Sequence, residues 1–485
     1  MFEEYFKPYR EKVIGIDQHH AFKAGVLPIV YADWAASGRL YQPIEHYISH
    51  TLGPYVANTH TEMSFTGQTM TNAYQQARAV IKQHVGANDN DALLFEGYGM
   101  TGAVNKFQRL MGLKGERAQQ PVDNNPTRPL IIITHMEHHS NQISWNECDV
   151  DVVIIRPTEN GVPDLDDLER ILKENQARPL LMASVSACSN VTGIFTPYHD
   201  IAALLHRYGG YSCVDFSGSA PYVDINMHPE NAEESLDVIF FSPHKFLGGP
   251  GSSGILVFNK NLYRHVPPDH PGGGTVKWTN PWGGCRYYED IESREEGGTP
   301  GFLQAIKASL AILLKEEMGV QNILSREEEQ KQRLLKGIED CQDIELLEAQ
   351  QMQRLGFISF FSRDIHYNLF VKLLNDYFGI QVRGGCSCAG TYGHVLLGID
   401  QEYSKRITDK IDGGDLSDKP GWVRVSLHPV MSDNEIDTLV NGIKQVVKHY
   451  SVWSKDYRFN AKTGEFDSLS NTDQFINIKN YAQHD

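Results

Sequence analysis

Short, unbroken apolar runs separated by segments of helical period fill the middle of the chain. Leu130–Thr134, Val152–Ile155, Leu180–Ser184, Ser212–Asp215, Val238–Phe241 and Ile255–Phe258 lack the alternation of a half-exposed strand, so they predict strands buried on both faces. Between them, Leu165, Leu168, Ile171 and Leu172 share one helical face. Ile201, Leu204 and Leu205 share another after Thr196-Pro197, a good cap and first position. Continuous apolar strands alternating with helices predict an α/β fold with a mainly parallel sheet covered on both sides. Upstream, residues 66–85 have helical spacing, and Ala92–Phe95 is a short strand running into Glu96-Gly-Tyr-Gly-Met-Thr-Gly102, a glycine-rich turn that opens a helix. Tyr31–Gly38 reads as a strand ending in small residues, and residues 1 to about 30 read as irregular.

Downstream the period changes. Long helical stretches are expected near 302–317 and 324–340, and from about 355 a smaller α+β unit begins, with strands at Phe357–Phe361 and Val423–Leu427. Ser432-Asp-Asn-Glu435 is a capping box ahead of Ile436, Leu439, Val440, Ile443 and Val447 on one face. Polar, proline-containing residues 111–129 read as an exposed loop insertion and residues 401–420 as a charged insertion. The polar tail after about 450 is expected to drape over the surface or to be partly disordered.

Composition narrows the function. A chain of 485 residues with 41% apolar content can bury a large core, and a net charge of −17 disfavours a nucleic-acid or anionic-membrane surface. A small substrate is the expectation. The first ten residues lack the apolar core of a signal peptide, and no run approaches the roughly 18 apolar residues of a membrane span, so the chain reads as cytoplasmic. Seven cysteines argue against a disulfide framework, and no cluster of ligand spacing accompanies any pair, so no metal is expected. Most cysteines read as small apolar residues; Cys386 and Cys388, set among glycines, read as exposed thiols.

In a parallel sheet ligands bind beyond the carboxyl ends of the strands. That rule gathers His138, Asn190, Asp215 and Lys245, each at or just after the end of a different strand. Ser242-Pro-His-Lys245 places one lysine at a strand mouth beside two phosphate donors, a combination suited to a Schiff base with the aldehyde of pyridoxal 5'-phosphate. An ordinary loop lysine accounts for that tetrapeptide equally well, so the other segments decide.

Those segments, taken together, resemble the class V aminotransferase superfamily, and within it the group-II cysteine desulfurase and selenocysteine lyase branch. The landmarks are Tyr31-Ala-Asp-Trp-Ala-Ala36, Gly99-Met-Thr101, Glu137-His-His139, Ser189-Asn-Val-Thr-Gly193, Val214-Asp215, Phe241–Lys245, Gly297-Gly-Thr-Pro300, Val382-Arg-Gly-Gly-Cys-Ser-Cys-Ala389 and Arg424-Val-Ser-Leu427. The resemblance implies fold type I of the pyridoxal-phosphate enzymes, with a large seven-stranded-type sheet and a small C-terminal α+β domain. Residues 1–30 would belong to the small domain, 31–300 to the large cofactor domain, 301–354 to connecting helices, 355–450 to the small domain and 451–485 to an extension.

It further implies that Lys245 holds the cofactor and moves the α-proton, that His138 stacks on the pyridine ring and that Asp215 pairs with the ring nitrogen. Gly99, Met100, Thr101, Ser242 and His244 would hold the phosphate. Thr299 would reach the phosphate of a neighbouring subunit, which makes a homodimer the expected assembly. Asn190, Arg383 and Arg424 match positions that hold an amino-acid carboxylate. Cys388 falls where the branch carries its nucleophile, implying a lyase that converts L-cysteine or selenocysteine to alanine and passes sulfur to an acceptor protein. An aminotransferase, epimerase or decarboxylase with a bystander Cys388, and a non-catalytic scaffold of the same fold, are the competing readings. The family's usual glutamine after the aspartate is missing from Asp215–Ser219, with Ser219 as its candidate replacement, and Cys386 is expected to be a bystander ahead of a redox partner or persulfide acceptor.

Overall fold

The computed structural model describes residues 2–59, 61–97, 99–114, 127–264 and 267–470, with Ile476 and Ile478. Its main sheet has seven strands: β1 (Asp91–Glu96), β2 (Leu130–Thr134), β3 (Asp151–Ile155), β4 (Leu181–Ser186), β5 (Tyr211–Asp215), β6 (Val238–Phe241) and β7 (Gly254–Asn259). In space they run β1-β7-β6-β5-β4-β2-β3. Neighbours from β6 to β3 are parallel, and β7 alone is antiparallel to both its partners. The mainly parallel sheet is thus the one the apolar runs predict. Every residue of β2, β4 and β6 is buried, which is why those segments show no polar alternation.

Helix α1 (Gly99–Leu110) follows β1 and helix α2 (His139–Asn146) follows β2, so both begin at the rim where β4, β5 and β6 also end. The helices Phe302–Met318 and Val320–Ile338 lead to a four-stranded sheet formed by Ile344–Leu346, Phe357–Ser362, Trp422–Ser426 and Arg383–Gly385 in that spatial order. The last of these strands opens into a loop that ends at helix α3 (Gly390–Leu396). The capping box forms as read: the Ser432 hydroxyl accepts the Glu435 amide and the Glu435 carboxylate accepts the Ser432 amide, starting the helix Asp433–Trp453.

Four expectations change. The start of the chain is ordered: Phe2–Arg10 is a helix whose Phe6 is buried and whose Arg10 pairs with Glu435 at 2.5 Å, and His19–Phe22 with Gly25–Pro28 make a hairpin. Tertiary contacts override a sequence with Pro8 in mid-helix. The strand expected from Tyr31 to Gly38 shortens: Tyr31, with Val30 before it, pairs with Ile380–Gln381, and Asp33 makes an isolated bridge to Ser426. The charged stretch over 401–420 contains the helix Gln401–Asp412, and the tail beyond Trp453 forms the hairpin Tyr457–Asn460 with Glu465–Ser468. Of the loop expected over 111–129, residues 115–126 lie outside the described residues.

Candidate active site

Lys245 ends a single 3-10 turn, Pro243–Lys245, directly after β6. A Cβ on Gly249 would collide with the Pro243 carbonyl oxygen, so only glycine lets the chain fold back under the lysine. Burial pulls the Lys245 ammonium below its ordinary range, with Asp215 opposing and Arg424 assisting the shift. Asp215 closes β5; burial raises its carboxyl, while its Oδ1 accepts the Ser217 amide at 2.8 Å. The pair face one cavity of about 260 Å³, whose lining also includes Met100, Thr101, His138 and Ser242.

His138 caps α2, its Nδ1 accepting the Ser140 amide at 3.1 Å, and burial with nearby Lys245 lowers its pKa to about 3. Glu137 beneath it is fully enclosed. Its carboxylate accepts from the Thr134 hydroxyl (2.6 Å), the Asn141 amide (2.7 Å) and the Ser186 hydroxyl (2.7 Å), as well as from the Thr134 and Ser186 backbone amides. One side chain thereby ties β2, β4 and α2 together and fixes His138. In the sequence Glu137 stands out only as part of the Glu137-His-His139 motif; an acid just beyond an apolar strand is the signal it offers.

The start of α1 forms an anion cradle. Gly99 sits at φ +62°, where a Cβ would lie 2.9 Å from Ser242 Oγ, and the Met100 amide donates to that oxygen at 2.8 Å. Amides at a helix N-terminus, the Ser242 hydroxyl, Thr101 and His244 suit a phosphate. His244 is lowered to about 4 by burial and Lys245.

Across the cavity, Asp33 joins two arginines. Its carboxylate accepts from Arg424 Nη2 at 2.8 Å and from Arg383 Nη2 at 2.9 Å, while Arg424 Nη1 donates to the Asn190 carbonyl at 3.0 Å. Sequence reading placed both arginines at the site and missed the acid that orients them. Several buried polar atoms of the lining have no hydrogen-bond partner among the described residues: Arg424 Nε, Asn190 Oδ1 and Ser387 Oγ. Unpaired groups of this kind fit a ligand that bears both donors and acceptors.

The loop after Arg383–Gly385 brings Cys388, exposed, to the same cavity. Ser387 and Cys388 have φ of +50° and +56°, a left-handed conformation that costs non-glycine residues energy and marks the loop as functionally constrained. Asn190 Nδ2 donates to the Ser387 carbonyl at 2.7 Å. Cys386 packs instead beside Met136, Val191, Tyr392 and Trp422.

The structure thus brings the expected site residues together except Thr299 and Ser219. Thr299 is exposed and does not line the cavity. Ser219, offered for the missing glutamine, is buried outside the lining; Ser217, Gly218 and Cys188 occupy that wall.

The aminotransferase class-V family model matches residues 30–439. A probable cysteine desulfurase of Halalkalibacterium halodurans is 27% identical over 366 residues, covering 75% of this chain and 84% of that one. Another, of Halobacterium salinarum, is 25% identical over 431 residues, covering 87% and 92%. Among solved structures, the apo cysteine desulfurase of Thermococcus onnurineus superposes with a TM-score of 0.71 at 22% identity, over 87% of this chain and 95% of that one. A cysteine desulfurase of Escherichia coli in its S-sulfonic acid form gives 0.70 at 20% identity, over 91% and 98%.

Proposed function

Because the chain belongs to the aminotransferase class-V family, we propose that it is a pyridoxal-phosphate-dependent desulfurase that takes sulfur from L-cysteine or selenium from selenocysteine and leaves alanine. The observation that carries this reading is the exposed Cys388 thiol, held by a strained loop on the rim of the cavity that contains Lys245, Asp215 and His138. Pyridoxal phosphate, when bound, draws electrons from the α-carbon of an amino acid and makes its proton removable.

The protein supplies the rest. Lys245, whose burial favours the free amine, carries the cofactor and takes and returns the α-proton. Asp215, whose burial disfavours its charge, would pair with the ring nitrogen and favour its protonated form. His138 would cover the ring, and the cradle of Gly99, Met100, Thr101, Ser242 and His244 would hold the phosphate. Arg424 and Arg383, aligned by Asp33, and Asn190 hold the substrate carboxylate. The Cys388 thiolate attacks the substrate sulfur: a sulfur–sulfur bond forms, the carbon–sulfur bond breaks with its electrons on carbon, and that carbon takes a proton to become the methyl of alanine. Cys388 then carries a persulfide, and its exposure lets an acceptor thiol of another protein collect the outer sulfur.

We assign Thr299, exposed in the single chain, to the phosphate of a second subunit in a homodimer, and place the enzyme in the cytoplasm. Among the described residues no helix is long and apolar enough to cross a membrane. Purified protein is incubated with L-cysteine and assayed for alanine, with Lys245→Ala and Cys388→Ser alongside. The reading requires a visible cofactor band that Lys245→Ala loses, and alanine only when Cys388 is present. Undiminished alanine formation by Cys388→Ser would overturn it.

A further inference from the structure

The strained pair Ser387–Cys388 needs a restraint, because left-handed non-glycine residues persist only where their surroundings hold them. On the side facing α2, Gln142 Oε1 accepts the Thr391 hydroxyl at 2.8 Å, and the restraint nearest Cys388 comes from His139, twice. The His139 backbone amide donates to the Cys388 carbonyl at 2.7 Å, and the His139 ring accepts the Gly390 amide on Nε2 at 2.9 Å. The two bonds bracket Cys388, one at its own carbonyl and one two residues on. An imidazole that accepts on Nε2 is neutral, with its proton on Nδ1. A Cβ on Gly390 would lie 3.1 Å from that nitrogen, so the glycine is what lets the ring approach the chain. The same helix carries His138 over the cofactor cavity at the preceding position, so the nucleophile loop and the ring-covering residue are referenced to one rigid element.

We propose that His139 is a positioning residue for sulfur transfer, its neutral imidazole latching the start of α3 so that the Cys388 thiol stays aimed into the cavity. The inference rests on the reading of Cys388 as the nucleophile and adds the group that places it. Nothing about His139 requires contact with substrate or cofactor.

The test compares His139→Leu, which removes the acceptor, with His139→Gln, whose amide oxygen can accept the Gly390 amide. Three readouts are taken on holoenzyme: kcat and KM for alanine formation from L-cysteine, the visible cofactor band, and the rate at which iodoacetamide alkylates Cys388, resolved by peptide mass spectrometry. His139→Leu is expected to lower kcat about 10²-fold, the scale of a misplacement near 1 Å, with KM and the band unchanged. Cys388 should be alkylated faster, because a released loop presents the thiol more often to bulk reagent. His139→Gln should stay close to wild type in all three. Wild-type kcat and alkylation in His139→Leu would overturn the proposal, and so would an equal fall in both variants. If His139→Leu loses the cofactor band, His139→Ala replaces it. If wild-type enzyme makes no alanine, the desulfurase reading fails, and alkylation alone still decides whether His139 latches the loop.

Discussion

At the scale of single residues, the site depends on acids that orient cations and on an acid that orients a helix. Among the described residues, Asp33 is the one ion-pair partner of the buried Arg424. Asp33→Asn would leave that guanidinium without its counter-charge at a cost of about 3 kcal/mol, seen as lower thermal stability, and would raise KM for the amino acid while the cofactor band remains. Unchanged KM would mean that Arg424 does not meet the carboxylate. Glu137→Gln presents an amide to donors that now meet a carboxylate; the expected loss is about 2 kcal/mol, together with weaker cofactor retention because His138 loses its fixed base. Retention equal to wild type would show that α2 is held by other contacts.

At the scale of elements, the C-terminal hairpin is fastened to the helix Tyr367–Phe378 and its cap His366. The Tyr457 hydroxyl donates to Asp376 at 2.7 Å, Asn368 Nδ2 donates to the Gly464 carbonyl at 2.6 Å, and the His366 ring lies against both Phe459 and Phe466. Truncation after Trp453 should therefore speed hydrogen exchange across the helix Tyr367–Phe378, whereas unchanged exchange would make the hairpin a passive cover. The same elements show what was legible beforehand. The sheet strands could be read because burial on both faces writes an unbroken apolar run, and the four rim residues followed from one topological rule. The helix Phe2–Arg10 could not, since its order comes from Phe6 in the core and Arg10 on Glu435, residues 425 apart in sequence. The Asp33 bridge and the His139 latch were hidden for the same reason: each joins segments hundreds of residues apart, and no local period records it. Ser219 was misplaced because which side chain of Ser217–Ser219 faces the cavity is decided by the turn after β5.

At the scale of the whole molecule, burial sets opposing pH dependences. His135 and His428 are lowered to about 4 and about 3 by burial, so the stability they contribute is complete above about pH 6.5 and is lost as the pH falls toward those values. Glu327 runs the other way: burial raises it to about 8, so its contribution is complete below about pH 4.5 and is lost as the pH rises through 8. Thermal unfolding of Glu327→Gln against wild type should show a difference that moves in favour of the variant between those limits; a constant difference would mean Glu327 is ionised throughout. The central claim, that Cys388 takes the sulfur at the cavity of Lys245 and Asp215, is tested most directly by mass spectrometry of the peptide containing Cys388 after a single turnover with L-cysteine. One added sulfur atom on Cys388, removed by a thiol reductant and absent in Lys245→Ala, is the predicted result; alanine formed with Cys388 unmodified and the sulfur on another cysteine or free in solution would contradict it.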